Sequence, residues 1–244
     1  MKKYLFISVA IITTLMLNAC AFSLTQGSGK VVTETRQISG FDQVELSGIG
    51  SLTITQGDKE GLQIDAEDNI LPRIETIVQN RTLQIRYQNN DWQNTVVPTK
   101  PIKFLLSVNN INGMELSGAG SITSANVKTD NLTISSSGAG SVKIGSLSAK
   151  SLTTNLSGLG GCELAGKVNS QNVVISGTGS YNAPDMESQN TTIIISGAGS
   201  STVWSTSSLN VTISGAGSVS YYGSPNVTKT ISGIGSINSL GSHQ

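Results

Sequence analysis

Beyond Leu116 the chain alternates. Ser141-Val142-Lys143-Ile144 and Leu209-Asn210-Val211-Thr212-Ile213 are typical, with apolar, often β-branched residues at every second position and polar ones between them. A period of two predicts short strands with one buried face, and no segment after Leu116 carries the 3.6 spacing of a helical stripe. Between these runs one five-residue phrase returns eight times: 47–51 (SGIGS), 117–121 (SGAGS), 137–141, 157–161 (SGLGG), 176–180 (SGTGS), 196–200, 214–218 and 232–236. From the second copy onward the starts are almost evenly spaced, tightening slightly beyond Ser196. So short a unit cannot bury its apolar face alone, and the period predicts a solenoid. Two or three short strands and tight corners fill each unit, and stacked units repeat every ~4.8 Å. The expected fold is all-β, a single-stranded parallel β-helix with coils of about 18–20 residues.

The phrase reads as a corner, because a chain turning between sheets needs positive φ or a missing Cβ and paired glycines offer both. The residue between the glycines is Ile49, Ala119, Ala139, Leu159, Thr178, Ala198, Ala216 or Ile234. Mostly apolar, it is expected to face the interior, with the flanking serines bonding backbone groups or the serine of the next coil. A phosphate-cradling glycine loop would need a helix N-terminus after the glycines and a Lys or acidic ribose partner, and neither follows. The buried stripe is expected to include Ile122, Val142, Leu164, Val173, Ile175, Ile193, Ile195, Val211, Ile213 and Ile231.

The first phrase, at Ser47, stands far upstream of the second, at Ser117. Val44, Leu46, Leu52 and Ile54 around it make residues 31–56 read as a first coil. An N-terminal insertion or cap at 57–110 follows, with strands expected at 62–64, 83–85 and 104–108, and the regular repeats occupy 111–244. Ile70, Ile74 and Ile77 have helix spacing, whereas Ile74, Thr76 and Val78 alternate toward a turn at Asn80-Arg81; both readings stand, with a hairpin preferred. Charge concentrates in this region, since everything from Leu116 to Gln244 holds only five Lys and four acids.

The N-terminus adds a targeting signal. Lys2 and Lys3 precede an apolar run, 4–17, too short to span a membrane comfortably, which ends in Leu17-Asn18-Ala19-Cys20. That ending resembles a bacterial lipobox, which implies a signal peptide at 1–19, lipidation of Cys20 and a tether at 20–30. Ala21 follows where an inner-membrane retention Asp would stand, so outer-membrane anchoring, on the periplasmic or surface face, is expected. An ordinary secretory signal cut near Ala19 and a plain membrane anchor are the alternatives. Fifteen basic and fifteen acidic residues balance; loss of Lys2 and Lys3 leaves a slight acidic excess, which argues against a nucleic-acid partner. Beyond the lipidated Cys20, Cys162 is the one other cysteine, so no internal disulfide is expected, and it reads as a small core residue.

Chemistry is sparse. A polysaccharide-cleaving β-helix needs clustered carboxylates, often with calcium, and a basic residue in one groove. Asp185 and Glu187 are the close acidic pair of the repeats, beside Pro184 in an expected loop; the sole histidine, His243, is penultimate, where chains fray; the serines have no His to activate them. No catalytic, cofactor-binding or metal-binding residues are nominated, and no cofactor is expected. Trp204 and Tyr222 hold equivalent places in consecutive coils. They form either a stacked platform for a sugar face or an aromatic ladder that packs a corner.

These residues together resemble the bacterial family described as putative auto-transporter adhesin, head GIN domain. The resemblance runs through Ile38-Ser39-Gly40-Phe41-Asp42-Gln43-Val44, Ile54-Thr55-Gln56-Gly57-Asp58, Asn69-Ile70-Leu71 to Leu83-Gln84-Ile85, and the SGxGS corners, covering nearly everything from Val31 onward. It implies a pectin-lyase-like β-helix, expected to be right-handed, over 31–244, an adhesive role and no catalytic residues. Gly161 in place of a corner serine and Arg81 at a turn where Gly would be comfortable depart from it. The expected function is a non-enzymatic, lipid-anchored envelope adhesin that meets the membrane through its lipid and a surface glycan or an envelope or host protein through its solenoid. A polysaccharide-active or glycan-binding protein and a structural envelope component are the alternatives. Oligomeric state is left open, as no coiled-coil heptads are present.

Overall fold

The computed structural model describes residues 25–88 and 96–243. Strands stack in parallel into a β-solenoid of about six turns. Each coil has three faces. In one coil the first face is Asn131–Ser136, the corner follows at 137–140, the second face is 141–144 and a short third face is 146–148. The pairing is in register from coil to coil: Ile134 sits on Thr154, then Val173, Ile193 and Val211. The alternation of the sequence therefore becomes columns. Leu116, Leu156, Ile175, Ile195 and Ile213 form one buried column, and Leu52, Ile122, Val142, Cys162 and Tyr181 another. Burying each such Val, Leu or Ile contributes on the order of 1.5–3 kcal/mol. Nine of the ten predicted stripe residues are buried; Ile231 is 41% exposed, because its strand, Asn226–Ile231, is the last of its face among the described residues and is covered on one side only.

The corners differ from expectation in one respect. The middle residue points out, not in: Leu159 is 72% exposed and Ile234 87%. Alternation runs unbroken through the phrase, so both glycines take the inward parity and the residue between them the outward one. Hydrogen bonds also run through it, with Ala139 N donating to the Gly118 carbonyl at 3.2 Å and Ala198 N to that of Gly177 at 3.0 Å. The glycines are needed for close approach. A Cβ on Gly197 would lie 2.0 Å from the carbonyl oxygen of Gly177, and one on Gly199 would lie 2.5 Å from Ile175 Cγ2.

The insertion supplies a coil of its own. Thr82–Tyr87 and Lys103–Val108 run parallel beneath Gln43–Leu46 and Ser51–Gln56. Those two strands in turn lie beneath Gly113–Leu116 and Ser121–Lys128. The coil carrying the first phrase is thus sandwiched between two coils that come later in the chain. Ile74–Gln79 pairs antiparallel with Thr82–Tyr87, so the hairpin reading holds, and the helix spacing reduces to one 3-10 turn, Leu71–Arg73. The turn places Asn80 and Arg81 at φ of 52° and 63°. Arg81 tolerates that position while its guanidinium grips buried Asp42 at 2.7 Å. Val31–Arg36 lies outside the coils, antiparallel to Gly61–Glu67, instead of opening the first coil.

Glu67 ties this end together. Its buried carboxylate accepts hydrogen bonds from Gly29 N, Thr99 N, Thr99 Oγ1 and Lys100 N. Burial alone would raise its pKa, but these donors outweigh burial and hold it below the ordinary 4.5. Asp68 is lowered likewise, first by Ser28 Oγ at 2.6 Å.

Gly197→Ala drives a methyl into a carbonyl and should cost several kcal/mol, whereas Leu159→Ser, on the exposed side of an equivalent corner, should stay within about 0.5 kcal/mol in a denaturant titration. For Glu67 the folded pKa lies below the unfolded one, so the unfolded chain binds the proton more readily. The stabilisation is present above pH 4.5 and fades as pH falls through the folded value. Melting temperature should drop with acidification more steeply in the native protein than in Glu67→Gln.

Candidate functional site

Cys20 lies outside the described residues. Trp204 and Tyr222 are aligned residue for residue in consecutive coils, as their spacing predicts. Val203, the inward neighbour of Trp204, is fully buried, and Tyr221 packs against the core, so the two aromatic rings project outward. They do not form a bare ladder. The His243 imidazole lies flat on the Trp204 indole, centroids 4.0 Å apart and planes 5° apart, and meets Tyr222 edge-on at 5.4 Å. Its Nε2 stands 3.1 Å from Asp185 Oδ1.

The sequence reasoning missed this cluster for two reasons. His243 does not fray. The tail follows the last coil, held by Leu240 N to the Tyr221 carbonyl and Gly223 N to the Gly241 carbonyl, both at 2.8 Å, and Gly241 at φ +86° turns it back toward the indole. Asp185, expected in a loop, sits within the continuous strand Ser180–Ile195. The strand pairing skips from Ala183↔Val203 to Glu187↔Trp204, so Pro184–Asp185–Met186 bulge, and the exposed Asp185 carboxylate is pushed toward the neighbouring coils. The signal for it was the tighter spacing of the phrases that begins at Ser196. Pro184, Asp185, Tyr222 and the tail enclose a shallow cleft of about 360 Å³.

The acidic pair is separated in its commitments. Glu187 accepts from Lys167 Nζ at 3.0 Å, one coil away, while Asp185 meets His243. Among the described residues no group of three or more His, Cys, Asp or Glu side chains is placed to hold a metal ion. Cys162 is buried, and burial pushes its thiol pKa up.

A second surface feature spans the six coils from Asn131 to Ile231, above Gly113–Leu116 and Gln43–Leu46, whose outward Glu115 and Glu45 carry charge. On the first face the outward positions between the buried columns are Asn131, Thr133 and Ser135, then Ser151, Thr153 and Asn155, and so on through 170–174, 190–194, 208–212 and 226–230. Over six coils these positions carry Ser, Thr and Asn, relieved by Val174 and Ile194, and no charge. Side chains in one column bond each other across coils, Ser151 Oγ to Asn131 Oδ1 at 2.6 Å and Ser208 Oγ to Asn190 Oδ1 at 2.7 Å. Ion pairs sit on the other faces and connections: Lys143 with Glu163, Lys150 with Asp130, Lys167 with Glu187.

The model of the family described as "Putative auto-transporter adhesin, head GIN domain" matches residues 40–225. A crystal structure of a putative adhesin from Bacteroides fragilis superposes with a TM-score of 0.83 at 28% identity, over 88% of this chain and 99% of that one. A putative lipid binding protein from Parabacteroides distasonis gives 0.72 at 24% identity, over 89% and 100%. A putative adhesin from Parabacteroides merdae gives 0.67 at 21% identity, over 89% and 99%. The latter two share the fold. No curated protein matches the chain.

A buried thiol with a raised pKa reacts slowly. Iodoacetamide at about pH 8 should leave Cys162 unmodified in the folded protein and alkylate it in denaturant, as read by intact mass.

Proposed function

The chain belongs to the putative auto-transporter adhesin, head GIN domain family, and from that membership we propose a non-enzymatic, lipid-anchored protein of the bacterial cell envelope whose solenoid is a rigid contact surface. The observation that carries this reading is the uncharged first face. Short hydroxyl and amide side chains, fixed in rows ~4.8 Å apart and already bonded to one another, lose little freedom when a partner covers them. They offer donors and acceptors to a neutral, hydroxyl-rich partner without the cost of stripping water from charges. An envelope or host surface rich in uncharged glycan meets that description. Cys20 anchors the stack through acyl chains, and the tether sets the solenoid away from the bilayer. Two acyl chains hold a protein far more firmly than one. Catalysis is disfavoured because the carboxylates of the repeats are dispersed, and Asp130, Glu163 and Glu187 are each paired with a lysine.

Thr153→Lys, Thr192→Lys and Asn210→Lys combined place charge on the face at exposed or half-exposed positions, each expected to change stability by about 0.5 kcal/mol or less. Cells displaying this variant should lose adhesion to glycan-coated surfaces with the melting temperature preserved; undiminished adhesion overturns the contact surface. Growth with labelled palmitate should leave label on a mature N-terminal Cys20, and an unmodified Cys20 overturns the anchor. Release of unsaturated products from uronate polymers by the purified protein would replace this reading with a lyase.

A further inference from the structure

We propose that the slot formed by Trp204, Tyr222 and Asp185 is a binding site for a pyranose ring without an acid group, and that His243 is its displaceable internal occupant. The imidazole shows what the slot accepts. A flat ring lies on the indole at 4.0 Å, nearly parallel to it, a second aromatic edge closes one side, and a polar ring atom reaches a carboxylate at 3.1 Å. A pyranose meets the same three demands. Its axial C–H face covers the indole, and its hydroxyls donate to Asp185, whose carboxylate is an acceptor alone when ionised. Asp185 also sets specificity, because a uronate or other acidic sugar would bring a like charge against it.

The occupant is held by ring stacking and a single polar side-chain contact. The tail beyond Leu240 lies outside the coils, and His243 contributes to no buried column. Trp204 and Tyr222, by contrast, project from in-register strands, so the aromatic wall keeps its shape when the tail leaves, and Asp185 is held beside it by a bulge closed at Ala183 and Glu187. The cleft of about 360 Å³ beside the ring falls within the range of small-ligand sites. The site lies on a different part of the solenoid from the uncharged face. It deepens the contact-surface reading, on which it rests, by giving the glycan a ring-specific anchor in addition to a broad interface.

Because the tail competes, apparent affinity is reduced by the fraction of molecules with the slot open. Trp204 fluorescence and its indole N–H resonance report occupancy, and Trp204→Ala identifies the signals. Methyl β-glucopyranoside and methyl N-acetylglucosaminide are the probes, with glucuronate as the acidic comparison. His243→Ala should bind the neutral sugars about tenfold or more tightly than the native protein. Asp185→Asn in the His243→Ala background should weaken them and admit glucuronate. No saturable indole shift in His243→Ala up to the solubility limit of either probe overturns the site and leaves the slot as a tail clasp. Equal affinities with and without His243 overturn the role of the tail, and glucuronate binding as well as the neutral sugars with Asp185 intact overturns the role assigned to that carboxylate. The lysine-substituted face leaves this slot untouched, so failure here and failure of the contact-surface reading are separately visible.

Discussion

The repeat coils of this protein depend on how closely one backbone can pass over another at the corners. Strands in a parallel sheet lie ~4.8 Å apart, and hydrogen bonding must continue round the bend to keep successive coils from splaying. At the corner the chain turns sharply while still donating to the coil beneath, so from Gly118 onward each first glycine lies directly over the carbonyl of the glycine one coil down. Any Cβ there occupies the place of that oxygen. With the corners locked at backbone contact distance, the columns on the two faces that flank them fall into register, the shifts gather at the third face, and the core fills with rows of similar side chains.

That constraint explains which parts of the fold were legible. The period, the corners and the inward columns follow from local alternation, and the structure carries them almost residue for residue. The inward reading of the corner's middle residue failed because apolar identity was given more weight than parity. Ile213 and Val219 both face in and are separated by an even number of positions, so Gly215 and Gly217 take the inward places and Ala216 the outward one. Glycine hid the rule by having no side chain to display. Stack order could not be read at all. The strands of the insertion carry the same alternation as the others, but their coil has no glycine phrase, and whether it lies above or below the first one is decided by contacts between distant segments. Of the candidate site, the Trp204–Tyr222 pairing was visible in the spacing. The arrival of His243 depends on the path of a tail turned by Gly241, which no periodicity encodes.

The interior is not uniformly apolar, and one connected polar network sits where coil lengths change. Tyr181, in a column otherwise held by Leu52, Ile122, Val142 and Cys162, sends its hydroxyl to Gln171 Oε1 at 2.8 Å. Gln171 Nε2 reaches Ser188 Oγ at 2.8 Å and Thr191 Oγ1 at 3.2 Å, and Ser188 Oγ reaches the Trp204 carbonyl at 2.9 Å. A slipped coil would leave these buried groups unpaired, at about 1–3 kcal/mol each. Apolar columns of similar residues penalise a slip weakly, so a mutually satisfied polar network is an effective way to specify the alignment of a shorter coil with its longer neighbours.

The same irregularity supplies the chemistry. A perfect repeat would present identical surfaces at every level and no distinguishable site. Where the repeat shortens beyond Ser196, the surplus backbone of the longer coil before it has nothing to pair with and bulges, carrying Asp185 outward beside the aromatic pair. Ser188, the strand position after Glu187, bonds the backbone of Trp204, so the network that aligns the coils also fixes the base of the indole. The last described coil breaks the pattern once more. Lys229 stands in the inward column above Val211 yet is exposed, and an inward-parity charge on a terminal strand discourages another sheet from adding to it. Regularity thus builds a stiff uncharged face, and departures from it place the cluster of Trp204, Tyr222 and Asp185 and blunt the open edge.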